Sequence, residues 1–389
     1  MNFLKVLPRK TMVGALLITS TWCFSTNLFA ADAIKIGFTG PLSGSLSLLG
    51  QGVRDGLETY IQVVNAQGGV NGRKIELIAE DDAYDPARTI AAAKKLIEQD
   101  KVVALVSPTG TPNVAAILTY TGEKKVPIIA PYAFSHTLTT PTKPYAFTTL
   151  PEVRVQANIL ADYLVKKLNR QKIAAIYQND DFGQDAVTGL EDRLKKLNVP
   201  LTKLPFERGS TNFSGVVTQA KQSGAEDLVF FGIPRDAALI MKEANKMGWK
   251  PNFSGHNALG DPQTFTLAGK ALVEGAIAVA VMEPLDSQKP QVSVFKDDQK
   301  KHLPKTSPTT YSMHGYNAGK VFVEALKKVQ GEPTGASIAA AVESVKGLNT
   351  GLMGMINFSS DQHAGSQSVA FMKATDGKWE IVTDWVKAD

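Results

Sequence analysis

The chain has 389 residues, 43% of them apolar, and Cys23 is its only cysteine. That length buries a sizeable core without disulfides, and two domains are the natural division. Basic residues number 42 against 37 acidic, but Lys5, Arg9 and Lys10 fall within the first ten positions; with the rest nearly balanced and no basic stripe interleaved with aromatics, nucleic acid is excluded as a partner.

Residues 1–30 read as a cleavable secretory signal: a basic start, the apolar stretch "MVGALLITSTWCF", and the small residue Ala30 before "ADAIKIG". The apolar part is shorter than the about 20 residues of a membrane span. Cys23 follows the bulky Trp22, which does not suit lipoprotein cleavage. The expectation is an exported, soluble protein that carries no cysteine once the leader is removed.

After the leader, "AIKIGFT" (33–39) predicts a strand and "LGQGVRDGLETYIQVVNA" (49–66) a helix. "KIELIAED" (74–81) is a strand, and Asp85-Pro86 supplies an N-cap and a first-turn proline for a helix to about Glu98. Strands follow at 102–106 and 126–130, with a helix between them that begins at Thr111-Pro112. The pattern restarts near Pro151: a helix, a strand at 172–178, a helix at 183–197, a strand at 227–232 and a helix from Pro234 to Met247. "NFSGHNALGD" (252–261) leads from a short strand into a loop, and the tail reads as helical from Glu283 to Lys346, then strand-like. Alternation with short loops means parallel sheets covered on both faces, in two similar α/β units.

Catalytic signatures are lacking. "GPLSG" (40–44) places its serine one residue late for a nucleophile elbow, and "SVFK" (293–296) lacks the companions of a Ser-x-x-Lys site. The five histidines have no paired spacing that would hold zinc, and "GQGVRDG" (50–56) lacks dinucleotide-loop spacing. No enzyme activity, metal or cofactor is therefore expected. What remains is the carboxyl ends of the strands, where open α/β sheets bind ligands. "LVSPTGTPNVAAI" (105–117) brings Thr109, Gly110 and Thr111 to a helix mouth, where unpaired N–H groups, expected at Asn113 and Val114, favour an anion. From this loop alone, two roles stay open: Thr111 caps its own helix, or its hydroxyl meets a ligand.

The order of motifs "IKIGFTGPLSGSLSLLGQGVRDGLETYIQVVNAQGGVNGRKIELIAEDDAYDPA", "VVALVSPTGTPNVAAI", "VPIIAP", "NDDFGQDAV" and "FSGHNALGD" resembles substrate-binding proteins of branched-chain amino acid ABC transporters. The resemblance implies a type I periplasmic binding fold: two doubly wound α/β lobes joined by three hinge crossovers near residues 151, 282 and 355. Lobe 1 would comprise 31–151 and 283–354, and lobe 2 would comprise 152–282 and 355–389.

It also implies a site. Thr111, with Thr109 and Gly110, corresponds to a carboxylate cradle. The segment Tyr132, Ala133 and Phe134 corresponds to a loop giving a carbonyl to an ammonium and a hydroxyl to the carboxylate; Phe134 has lost the hydroxyl. Leu49 is a wall residue, Phe182 an aromatic lid, and Ile233 stands where relatives carry a tyrosine. The acid that pairs with the ammonium corresponds to Asn257. The acid-binding half is thus kept and the ammonium-binding half is lost, with Asp181 the one acid of the lid motif in position to substitute.

The reading is capture of a small carboxylate, with an apolar or aromatic body or as a branched-chain or aromatic amino acid, for delivery to an ABC permease. The other classes are a ligand sensor for a membrane partner and an exported enzyme.

Overall fold

In the computed structural model, which describes residues 1–5 and 32–387, the chain from Asp32 onward forms one unit containing two sheets. The expected leader, apart from residues 1–5, and its cleavage at Ala30 lie outside the described residues. Among the described residues, no helix is long and apolar enough to cross a membrane.

The first sheet is built from β1 (Ile34–Gly40), β2 (Ile75–Asp81), β3 (Leu105–Val106), β4 (Ile128–Ile129) and β5 (Ala146–Phe147), all parallel, in the order β2-β1-β3-β4-β5. Between them run α1 (Ser47–Ala66), α2 (Pro86–Lys94) and α3 (Thr111–Glu123). Asp85 caps α2 as its sequence predicts, accepting from the Arg88 N–H at 3.0 Å with Pro86 in the first turn. A π turn at Lys95–Gln99 then ends that helix.

The second sheet holds β6 (Ile173–Gln178), β7 (Leu201–Phe206), β8 (Asp227–Phe231), β9 (Asn252–Gly255), β10 (Ile277–Ala280), β11 (Ser368–Thr375) and β12 (Lys378–Ile381), in the order β12-β11-β10-β9-β8-β6-β7. Its strands are parallel through β10, whereas β11 and β12 run antiparallel, and a short β13 (Val386–Lys387) pairs with β11. Its helices are α4 (Val153–Asp162), α5 (Asp181–Lys196), α6 (Ser214–Gln222), α7 (Pro234–Lys246), α8 (Gln263–Ala268) and α9 (Lys270–Val273). The tail that read as one helical stretch is three helices, α10 (Pro290–His302), α11 (Thr310–Leu326) and α12 (Gly335–Glu343).

Strand β7 has no counterpart in the sequence pattern, because "LTKLPF" mixes exposed and buried positions and contains a proline. The strand at 102–106 is regular only at 105–106, yet the Val103 N–H donates to the Lys35 carbonyl and the Gly37 N–H to the Ala104 carbonyl, both at 2.9 Å, so the segment still runs alongside β1.

Both sheets are covered on two faces. In β6, Ala174 and Ile176 enter one apolar cluster while Ile173, Ala175 and Tyr177 enter another, the period-two alternation of a strand buried twice. Helix α11 lies against α1, and only glycine permits the approach. A Cβ on Gly56 would lie 1.7 Å from the Ser312 carbonyl oxygen, and one on Gly315 would lie 1.9 Å from that of Val53. Residues after β10 thus return to the first sheet's layer. They stay there through 365, where Phe358 donates to Val345 and Gly365 donates to Thr148.

Candidate functional site

Parallel strands bring all their carboxyl ends to one side, and the strand order reverses between β1 and β3 and between β8 and β6. Loops splay apart at such points and leave a crevice. The loops after β1, β2, β3 and β4 face those after β6, β7, β8 and β9 across a cleft of about 410 Å³. Eight of the ten residues singled out in the sequence line it: Leu49, Gly110, Thr111, Tyr132, Phe134, Phe182, Ile233 and Asn257.

Thr109 and Ala133 do not. Thr109 is spent on the sheet: its N–H donates to the Thr39 carbonyl and its hydroxyl to the Ser107 carbonyl. Ala133 is buried among Val114, Ile117 and Leu138. Both adjoin residues that do face the cleft, and alternation along an extended backbone turns neighbours to opposite sides.

The helix mouth at α3 has a definite geometry. Gly110, at φ 105°, is the N-cap and offers no side chain, so Thr111 does not cap its own helix. The Thr111 oxygen instead accepts from the Phe134 N–H at 3.1 Å. Its proton is left with no acceptor among the described residues, in a residue only 5% exposed. The Val114 N–H, expected to be free, donates to the Gly110 carbonyl at 2.8 Å. The N–H groups of Thr111 and Asn113 are the ones with no protein acceptor among the described residues. A hydroxyl proton and unpaired main-chain donors therefore converge where the helix dipole is positive.

Behind this mouth, the buried Asp82 accepts from Thr39, Tyr84 N–H and Thr89, and Thr89 in turn accepts from the Asn113 amide at 2.8 Å. Burial pushes the Asp82 carboxyl upward.

The body of the cleft is aromatic from both sides. Phe134 and Phe182 lie edge to face with ring centres 6.4 Å apart, Tyr132 meets Phe134 at 5.2 Å, and Phe182 lies 5.0 Å from the His256 ring. His256 is buried, with Nε2 2.8 Å from the Gly232 carbonyl oxygen, and burial pulls its pKa down to about 4, which keeps it neutral. Asn257 lies against His256 Nδ1 at 3.2 Å, and its own N–H donates to the Gln156 side chain.

Asp181 is exposed at the start of α5 and does not line the cleft. The acid that does is Asp236, in the first turn of α7. One of its oxygens accepts from Arg235 at 2.7 and 2.9 Å, while the other is buried without a partner. Sequence reasoning also missed Tyr84, Arg208, Arg235 and Tyr311 on the lining. Tyr84 lies inside a motif quoted above, but Arg208 follows the unrecognised strand β7 and had no signal. The charged side chains on the lining are Arg208, Arg235 and Asp236. Among the described residues, no cluster of His, Cys, Asp and Glu could hold a metal ion.

A family model described as periplasmic binding protein matches residues 33–378. The chain belongs to that family. Among curated relatives, this binding protein is 26% identical to a "Leu/Ile/Val-binding protein homolog 3" of Brucella melitensis over 372 residues, covering 93% of this chain and 98% of the relative. It is 28% identical to an "Amino acid binding protein" of Pseudomonas aeruginosa over 284 residues, 72% of this chain and 75% of the relative. Its fold matches a fatty acid ABC transporter substrate-binding protein from Thermomonospora curvata with a TM-score of 0.84 at 22% identity, covering 92% and 93% of the two chains. It also matches a branched-chain amino acid ABC transporter protein from Thermus thermophilus with bound valine, at 0.83 and 20%, covering 92% and 96%. The resemblance drawn from the motifs and the two-lobed fold it implied both hold.

Proposed function

We propose that this binding protein captures a small carboxylate in the periplasm, between two closing lobes, and delivers it to the permease of an ABC importer. The observation that carries the reading is the Thr111 hydroxyl on the cleft lining, whose oxygen accepts from the Phe134 N–H and whose proton has no acceptor among the described residues, beside two N–H groups equally without one. Leu49, Phe134 and Phe182 line the same cleft with apolar surface, worth about 25 cal/mol per Å² removed from water.

The ligand class follows from what faces the other end. Burying an ammonium is costly unless charge or several acceptors meet it, and Asn257 offers an amide while Ile233 offers nothing polar. The proposed ligand is therefore an acid with an apolar or aromatic body and no required ammonium. A branched-chain or aromatic amino acid is the second reading, favoured by the unpartnered oxygen of Asp236 on the lining. The proposed lobes are 31–151 with 283–354 and 152–282 with 355–389; the hydrogen bonds of Phe358 and Gly365 to the first layer support moving the third crossover to about 366. A monomer suffices for this task.

Calorimetric titration of the mature protein with phenylpyruvate, benzoate and 4-methyl-2-oxopentanoate, beside leucine and phenylalanine, tests the ligand class. Micromolar binding of one or more ammonium-free acids is expected. Binding of the amino acids alone would transfer the assignment to the second reading.

A further inference from the structure

The cradle at Thr111 is uncharged, whereas a carboxylate is a full charge, and both cations on the lining come from the opposite sheet. Arg208 follows β7 and reaches across the cleft, with its guanidinium carbon 4.8 Å from the centre of the Tyr84 ring. Tyr84 follows β2, and the turn that aims it is strained: Ala83 and Tyr84 are both left-handed, at φ 48° and 64°. Two carboxylates hold that turn, Asp81 accepting from the Ala83 N–H at 2.9 Å and Asp82 from the Tyr84 N–H at 2.8 Å. Strain of this kind persists only where surrounding structure enforces it. An edge of the same ring packs on the cradle, since a Cβ on Gly110 would lie 2.7 Å from Tyr84 Cε2. One tyrosine ring therefore meets both the guanidinium and the helix mouth.

Arg208 also pairs with Asp180. That carboxylate is itself drawn toward the start of α5, where it accepts from the Gly183 N–H at 3.1 Å, and it accepts from Gln178 as well. Only one guanidinium nitrogen is engaged with it, and 40% of the Arg208 side-chain surface stays open. Arg235, the other cation on the lining, is committed to Asp236 and to the Ser210 carbonyl.

We propose that Arg208 reads the negative charge of the ligand: held on the Tyr84 face and oriented by Asp180, its guanidinium completes the neutral Thr111 cradle from the opposite wall. Anion binding then couples the two walls directly, because the cradle and its counter-charge belong to different sheets. The inference rests on the carboxylate reading and adds to it the residue that separates an acid from its neutral amide.

The test uses three acid and amide pairs, phenylacetate with phenylacetamide, 4-methylpentanoate with 4-methylpentanamide, and leucine with leucinamide, titrated into mature wild-type protein, R208Q and R208K. Wild type is expected to prefer the acid by roughly 10- to 100-fold, the range of a hydrogen bond to a charged group. In R208Q the preference should fall to within about threefold, while R208K, which keeps the charge but loses the planar group stacked on Tyr84, should hold an intermediate preference. An undiminished preference in R208Q overturns the proposal. So does an equal loss for acid and amide, which marks a purely mechanical latch. Should R208Q not fold, Tyr84→Leu removes the platform and keeps the charge; its acid-over-amide preference must narrow relative to wild type, whatever the change common to both ligands, or the proposal fails. If no acid binds wild type, the carboxylate reading itself fails, and the role of Arg208 with it.

Discussion

On one wall of the cleft, Gly110, Thr111 and the first turn of α3 present a hydroxyl and main-chain donors and no side-chain charge. The facing wall presents Arg208, Arg235 and Asp236, each engaged with another group of its own layer. The first wall is preorganised by backbone: the Phe134 N–H fixes Thr111, and a glycine fixes the entry to the helix. The second is preorganised by charge pairing and by a neutral buried histidine. A backbone site recognises one functional group in one place and tolerates no side chain, whereas a charge-paired wall tunes which ligand body and which charge can be enclosed. On the proposed function, class recognition belongs to the first wall and selectivity to the second.

The contrast is sharpest at Gly110. At φ 105°, with a Cβ 2.7 Å from Tyr84 and 3.0 Å from the Asn113 oxygen, Gly110→Ala strains the backbone and displaces the cradle. A loss of roughly 3 kcal/mol in ligand binding is expected by calorimetry. Binding within a factor of a few of wild type would mean that the first wall is not backbone-built.

Thr111→Val removes the donor and also strands the Phe134 N–H, so it should cost about 2 kcal/mol in binding and about 1–3 kcal/mol in stability. Thr111→Ser should restore both. A serine variant as weak as the valine one, in paired titrations and urea melts, would assign the effect to methyl packing and not to the hydroxyl.

His256 tests the second wall by pH. Its folded pKa, near 4, lies below the unfolded value of about 6.5. The neutral form is the native one, so its contribution is complete above about pH 6.5 and is lost as pH falls toward 4. Urea unfolding at roughly pH 7 and pH 5 should show a decrease with acid, of which roughly 2 kcal/mol is absent in His256→Gln. The buried His314, also held near 4, works in the same direction and remains in that variant as an internal reference. Parallel pH curves for wild type and variant would remove His256 from the account.

The smallest effect is expected at Asn257, where Asp would restore an acid for an ammonium. Asn257→Asp should raise leucine affinity about tenfold, or about 1.4 kcal/mol, and weaken ammonium-free acids. Unchanged leucine binding would show that Asp236 already fills the role, and that the second wall is selective for another reason.

The sequence by itself determined the α/β alternation, the capped start of α2, the family and eight of the residues that line the cleft, because these follow from local signals. Apolar periodicity, Asp85-Pro86, and glycine and hydroxyl residues at strand ends are properties of neighbouring residues. Thr111 was legible because a strand that breaks into hydroxyls before a helix is visible in one short stretch. Tertiary structure alone decided the rest. Whether Thr109 or Thr111 faces the cleft depends on one step of backbone alternation and on a hydrogen bond from Phe134, 23 residues away. Asp236 over Asp181, and the meeting of Tyr84 with Arg208, depend on two sheets folding so that loops far apart in the chain face one another. No periodicity within one segment encodes a distance between two of them, and it is that distance which turns a paired arginine on one wall into the counter-charge of a neutral cradle on the other.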